Sequence, residues 1–518
     1  MDLQTFFDHF GIRENPFRAE EAREDHVFQR IAGSGSTNAH PEFEKVVGDI
    51  ERSSTSVVFG EKGAGKTAFR LQIGQRIREH NMASPERKVF FVPMDDLNPT
   101  LDRLGAHAGV SVTSSAKDIT RAIGRINLAD HLDALLHSGV TLLEDALLGD
   151  LGAREKLALG SEAERRMRTA PINMKHDLLL LQTLYGREDA QGERRRALRS
   201  FVRPPLYRAK LAWTGFLFVG WLPAAGVLYA MTQLTESSRA GDLGQFFMAL
   251  FAAFLAIWLL VMVNVFLLGR MLMTPSVRRS AHALRVVGKT KEELRAGLSS
   301  LPPGARTHSV MPVGTNDAQR YELLDRFFRI LGRLGFASIL VVYDRIDEPT
   351  LVKGDAERMR AVVWPLLNNK FLQLEHVGVK LLLPIELRHE LFRESSDFFQ
   401  TARMDKQNMV ERLSWSGAML FDLCNARLNV CREDDSAGEM SIVSLFDETV
   451  SRQDVVEALD QMRHPRDAFK LMHQCISEHC SHVTTDEGAI RIPRHVLESV
   501  KRREAERVQQ FGRGVRPA

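Results

Sequence analysis

Residues 60–67 read Gly60-Glu61-Lys62-Gly63-Ala64-Gly65-Lys66-Thr67, which fits Gly-x-x-x-x-Gly-Lys-Ser/Thr in full. Glycines at these positions let successive backbone N–H groups turn inward and cradle phosphate oxygens. Lys66 is placed to reach the β- and γ-phosphates, and the Thr67 hydroxyl to ligate Mg²⁺. The flanks supply the setting that the pattern needs. Ser56-Val-Val-Phe59 is a short apolar run that reads as a buried parallel strand. Phe69, Ile73 and Ile77 then recur at helical spacing, which aims a helix N-terminus at the anion. All eight residues, 60 to 67, are expected to contact nucleotide.

A second apolar run, Ser338-Ile-Leu-Val-Val-Tyr343, ends in Asp344. An acid at the carboxyl end of such a strand can hold the metal, directly or through water. The next residues are Arg345, Ile346, Asp347 and Glu348. Many ATPases place the water-activating glutamate directly after the first acid, where this chain has Arg345. The base then falls to Asp347 or Glu348, with Glu348 favoured. Runs at 88–92 and 378–383 extend the sheet. Strands interleaved with helical patterns predict an α/β fold with a parallel sheet flanked by helices. Asn369-Lys370-Phe371 has no acid and no strand where a guanine signature needs them, so ATP is expected as the nucleotide.

Two long uncharged runs, 211–232 and 245–269, lie between the halves of this site. At about 1.5 Å per residue each reaches roughly 30 Å, the thickness of the hydrocarbon layer. Arg194, Arg195, Arg196, Arg199 and Arg203 precede the first run, and Arg270, Arg278, Arg279 and Arg285 follow the second. By the positive-inside rule this predicts a transmembrane hairpin with both termini and the nucleotide domain cytoplasmic, in an inner (cytoplasmic) membrane. Asn264 is the strongly polar residue deep in the second run and is read as a contact across the hairpin. The alternative is a pair of buried core helices.

Composition is ordinary: 518 residues, 26% charged, net charge +3 and 4 cysteines. The length allows two or three domains. The charge is too small to argue for nucleic acid, and the cysteines fit a reducing compartment. The first residues lack a basic region followed by an apolar core, so no cleavable signal is expected. The expected organisation is 1–105, first half of the nucleotide core; 106–210, helical insert; 211–269, hairpin; 270–308, juxtamembrane linker with a hinge at Pro302-Pro303-Gly304; 309–395, second half of the core; and 396–518, helical lid and C-terminal region.

Phe10-Gly-Ile-Arg-Glu-Asn15-Pro16-Phe17 resembles the leader of AAA+ ATPases related to the general-secretion group, where it packs near the adenine. The phosphate loop, the strand ending in Asp-x-x-Asp-Glu and the late Pro465-Arg466 are similar to the wider class holding origin-recognition and STAND-type ATPases. That resemblance implies that Arg466 senses the γ-phosphate from a helical lid. A hairpin between the two nucleotide motifs resembles the KAP NTPases, which usually carry two adjacent acids where this chain has Asp344-Arg345. Arg388, Arg403 and Arg412 are candidates for an arginine supplied to a neighbouring subunit.

The region 473–482 is dense in Cys and His, but its spacing is not that of a zinc pair, and a helix burying small thiols explains it equally. The function expected is a Mg²⁺-dependent, membrane-anchored ATPase of the P-loop NTPase class. It would couple nucleotide state to a homo-oligomer or a membrane protein partner. The alternatives are an ATP-gated switch that hardly hydrolyses and a membrane-recruited ATPase that handles DNA.

Overall fold

The computed structural model describes residues 1–18, 21–33, 40–52, 54–189, 191–203, 215–216, 218–234, 240–263, 269–301, 311–433, 438–483 and 490–512. The chain divides into two compact units, 1–126 with 335–518, and 127–334.

The first unit is mixed α/β. Its five parallel strands are β1 (Ser56–Gly60), β2 (Lys88–Met94), β3 (Phe336–Tyr343), β4 (Val377–Pro384) and β5 (Asn408–Val410), in the order β2-β3-β4-β1-β5. β1 and β4 are buried along their whole length, as central strands covered on both faces must be. Val58, Val342 and Leu382 join Phe69, Ile73 and Ile77 of the helix Lys66–Ala83 in one core. From β1 the chain travels toward β2, whereas from β4 it crosses β1 to reach β5. Adjacent strands whose connections leave in opposite directions open a crevice at their carboxyl ends, the usual ligand position in open α/β sheets.

Lys380 lies fully buried in the middle of β4. Its Nζ donates to Val47 O, Ser54 Oγ and Ser56 Oγ, each at 3.1 Å, with no carboxylate among these partners. Burial pushes its pKa down to about 7. The folded value is depressed below the unfolded one of 10.5, so the unfolded chain binds more protons between the two. Stability should therefore rise with pH across that window, by up to about 1.4 kcal/mol per unit. Lys380→Met is expected to remove that slope. Urea unfolding at pH 7 and pH 9.5 checks it; equal slopes in wild type and variant would contradict it.

The second unit is helical among its described residues. Leu128–Leu148, Ile172–Tyr185 and Asp317–Arg333 pack on one another. Arg320 Nη2 donates to Asp133 Oδ2 at 2.8 Å, and the Tyr185 hydroxyl donates to Asp133 Oδ1 at 2.8 Å. Burial raises the Asp133 pKa to about 6 against the pull of Arg320. A buried pair of this kind is costly to break, at roughly 3–5 kcal/mol, which ties Asp317–Arg333 into this unit.

The membrane expectation is corrected here. Among the described residues no helix is long and apolar enough to cross a membrane. In the first run the described helix is Leu222–Leu234, 13 residues, or about 20 Å at 1.5 Å per residue. In the second, Ala240–Val263 starts ahead of the apolar run and includes Asp242. The hairpin as a membrane anchor and the multi-pass inner-membrane location are therefore not upheld. The buried-core alternative does not describe these helices either: they pack on each other yet expose Tyr229, Phe246, Met248 and Leu260. Asn264, part of the linker between the runs and the hinge at Pro302-Pro303-Gly304 lie outside the described residues.

Candidate nucleotide site

β1 ends at Gly60 and the helix Lys66–Ala83 begins six residues later. Two residues of the turn between them take the left-handed region, Gly63 at φ +93° and Gly65 at φ +95°, where a side chain is strained. Gly65 is the helix N-cap and supplies no side-chain cap. The first N–H groups of the helix are therefore left to a ligand. Lys66 Nζ spans the loop, donating to Gly60 O at 2.7 Å and Glu61 O at 3.0 Å. Burial lowers the Lys66 pKa, while the charges of Asp347, Asp344 and Glu386 oppose that.

Thr67 Oγ1 donates to Asp344 Oδ2 at 3.0 Å, and Arg70 Nε reaches the same oxygen at 3.3 Å. Arg70 Nη2 also pairs with Asp95 at 3.1 Å. Asp344 is 1% exposed, and its Oδ1 is buried without a hydrogen-bond partner. Burial raises its pKa, and Arg70 and Thr67 pull it back. A buried carboxylate oxygen lacking a donor, beside a threonine hydroxyl, fits one protein-held Mg²⁺. That ion takes one or two carboxylates, with waters and phosphate oxygens completing the shell. No group of three or more His, Cys, Asp or Glu able to hold a metal occurs among the described residues, which such an ion does not require.

Past Asp344 the chain turns through Arg345 at φ +59°. The Arg345 guanidinium pairs with Glu348, which is 44% exposed. Asp347 lines the same cleft, and its charge stands first among those acting on Lys66. Arg466 approaches from the helix Pro465–His482. A Cβ built on Gly63 would meet Arg466 Cβ at 3.3 Å and Nε at 4.0 Å. The Arg466 Nε is buried and has no hydrogen-bond partner.

Glu61 fastens the loop to the C-terminal region. Its carboxylate takes Arg412 Nη2 at 2.5 Å and His464 Nε2 at 3.0 Å. Burial pushes its pKa up, but those two partners outweigh burial and hold it below the usual value. Trp415 Nε1 donates to Ala64 O at 2.9 Å, and His40 meets the Trp415 ring edge-on at 4.8 Å. Phe28, Ile31, Phe69 and Phe469 complete an apolar wall beside the loop. The cleft is open to solvent. The N-terminal segment braces that wall: Arg427 donates to Pro16 O at 2.7 Å and to Asp25 at 2.5 Å, with its guanidinium 4.3 Å from the Phe469 ring.

No protein-family model, curated protein or solved structure matches this chain.

The structure thus gathers Gly63, Gly65, Lys66, Thr67, Asp344, Asp347, Glu348 and Arg466 around one cleft. Gly60 and Glu61 anchor Lys66, Ala64 is buried, and Lys62 also lines the cleft. Arg412 is held by Glu61, and Arg388 by Glu411 at 2.6 Å. Arg403 sits at the end of a short helix at φ +51°. Cys475 and His479 lie buried in the helix Pro465–His482, with His479 Nε2 3.1 Å from Ile490 O. The sequence reading missed Arg70, Asp95, Glu386 and Trp415. Asp95 follows β2 directly, the same strand-then-acid signal that marked Asp344.

Proposed function

We propose that this chain is a P-loop nucleoside triphosphatase that binds ATP with Mg²⁺ and hydrolyses it. The observation that carries the reading is the 3.0 Å contact from Thr67 to Asp344, made across 277 residues of sequence. It brings a phosphate-loop hydroxyl and a strand-end acid to one point, the arrangement that Mg-nucleotide binding needs.

In this reading the loop N–H groups take the β-phosphate, and Lys66 leaves its carbonyls for the terminal phosphates. Thr67 and Asp344 would hold the metal, which would supply charge neutralisation to the phosphates. Asp347 accepts a hydrogen bond from the attacking water and takes its proton. Arg466 donates to the γ-phosphate. The adenine would lie against the wall of Phe28, Phe69, Trp415 and Phe469, which gives a stacking surface. The bracing of the lid by Arg13, Asn15 and Pro16 supports the resemblance to leader-bearing AAA+ and STAND ATPases. A homo-oligomer or a protein partner is the proposed recipient of the lid's movement.

Arg345 favours a second reading, a nucleotide-gated switch, because it ties up Glu348. The two share the binding step, which calorimetry tests directly. ATP affinity of the wild type should rise with Mg²⁺, and Asp344→Asn should remove that rise while leaving metal-free binding. Affinity indifferent to Mg²⁺ in the wild type would contradict both readings.

A further inference from the structure

Arg466 and Phe469 also line a second cavity, which is open to solvent. Arg18, Arg466, Lys470 and Arg507 bring four guanidinium or ammonium groups to it, against the single carboxylate of Glu504. Arg507 is partly spent: its Nη2 reaches Glu504 at 2.6 Å and Asp467 at 3.2 Å. Even so, the Nε of Arg507 and that of Arg466 are buried and lack hydrogen-bond partners. His473 also lines the cavity. Its Nδ1 meets the Asn15 side-chain amide at 3.1 Å, so the neutral ring carries its proton on Nε2 as a donor.

Donors and positive charge outnumber acceptors here. Like charges gathered in one cavity repel, and a multiply charged anion answers several of these cations at once through charge-assisted bonds. We propose that this cavity is a second anion site, for a small phosphate-bearing ligand, and that its occupancy controls Arg466. The control rests on the nucleotide reading above, but the site does not. Arg466 borders both cavities, so an anion in the second draws its guanidinium from the γ-phosphate position, and nucleotide in the first draws it back. The two ligands then oppose each other reciprocally.

The probe is inorganic pyrophosphate, titrated calorimetrically into the full chain carrying Lys66→Ala, which disables the phosphate loop. Saturable binding should persist there and fall at least about tenfold, near 1.4 kcal/mol, on adding Arg18→Gln or Arg507→Gln. Arg18 is exposed, so its replacement spares the fold even if loss of the Arg507 pairs does not; thermal melting verifies this. No binding to Lys66→Ala, or binding unchanged by both glutamines, overturns the site. If the site holds, pyrophosphate should also raise the apparent KM for ATP of the Arg466 wild type more than that of Arg466→Ala. An equal rise in both overturns the control. Failure of ATP to bind wild type overturns the nucleotide reading alone, because the pyrophosphate titration in Lys66→Ala does not depend on it.

Discussion

Lys66→Ala is expected to weaken MgATP binding by about two orders of magnitude, near 2.7 kcal/mol, beside a smaller loss of thermal stability. The ammonium is mostly buried, and its partners are two carbonyls of its own loop, Gly60 O and Glu61 O. Burial alone favours the neutral amine, and the carboxylates of Asp347, Asp344 and Glu386 act in the other direction. A triphosphate adds several more negative oxygens at that point. The charge-assisted bonds it makes to Lys66 are therefore the largest single-residue contribution expected in the cleft. Gly60 is buried, so removing the ammonium also strips a donor from its carbonyl, a cost of about 1–3 kcal/mol to stability. Isothermal titration beside a thermal melt separates the two effects. ATP affinity within a factor of two of wild type would remove Lys66 from the site.

The second large effect is expected at Asp347. Asp347→Asn should cut ATP turnover by about 10²- to 10⁴-fold, the usual contribution of a positioned general base, with ATP affinity retained. Glu348→Gln should cost far less. Glu348 stands where the sequence reading favoured a base, but its carboxylate is engaged by Arg345 and is 44% exposed. A carboxylate held by a guanidinium is less free to take hold of a water. Asp347 faces the cleft and acts on Lys66 more strongly than any other charge there. Single-turnover phosphate release for both variants decides between them. A larger loss in Glu348→Gln would restore the earlier preference, and no loss in either would favour the switch.

Much of the sheet could be read from the chain because its strands are buried on both faces and therefore continuously apolar. The runs at 88–92, 338–343 and 378–383 became β2, β3 and β4. β5 escaped because three residues, Asn408-Met-Val410, carry no period. The double pairing of Glu61 could not be read either, since Arg412 and His464 lie 351 and 403 residues away and only folding brings them together. The packing of the helix Asp317–Arg333 was equally hidden in the sequence. Its buried Arg320 binds Asp133, a partner 187 residues distant. The membrane reading rested on run length and flanking charge. Among the described residues no helix is long and apolar enough to bear it out.

The most direct measurement is Mg²⁺-dependent phosphate release from ATP by the purified full-length chain, wild type beside Lys66→Ala and Asp347→Asn. The account predicts turnover in the wild type that requires Mg²⁺ and is lost in both variants, with ATP still bound by Asp347→Asn. Turnover that persists in Lys66→Ala, or a wild type that neither binds nor hydrolyses ATP, would contradict it.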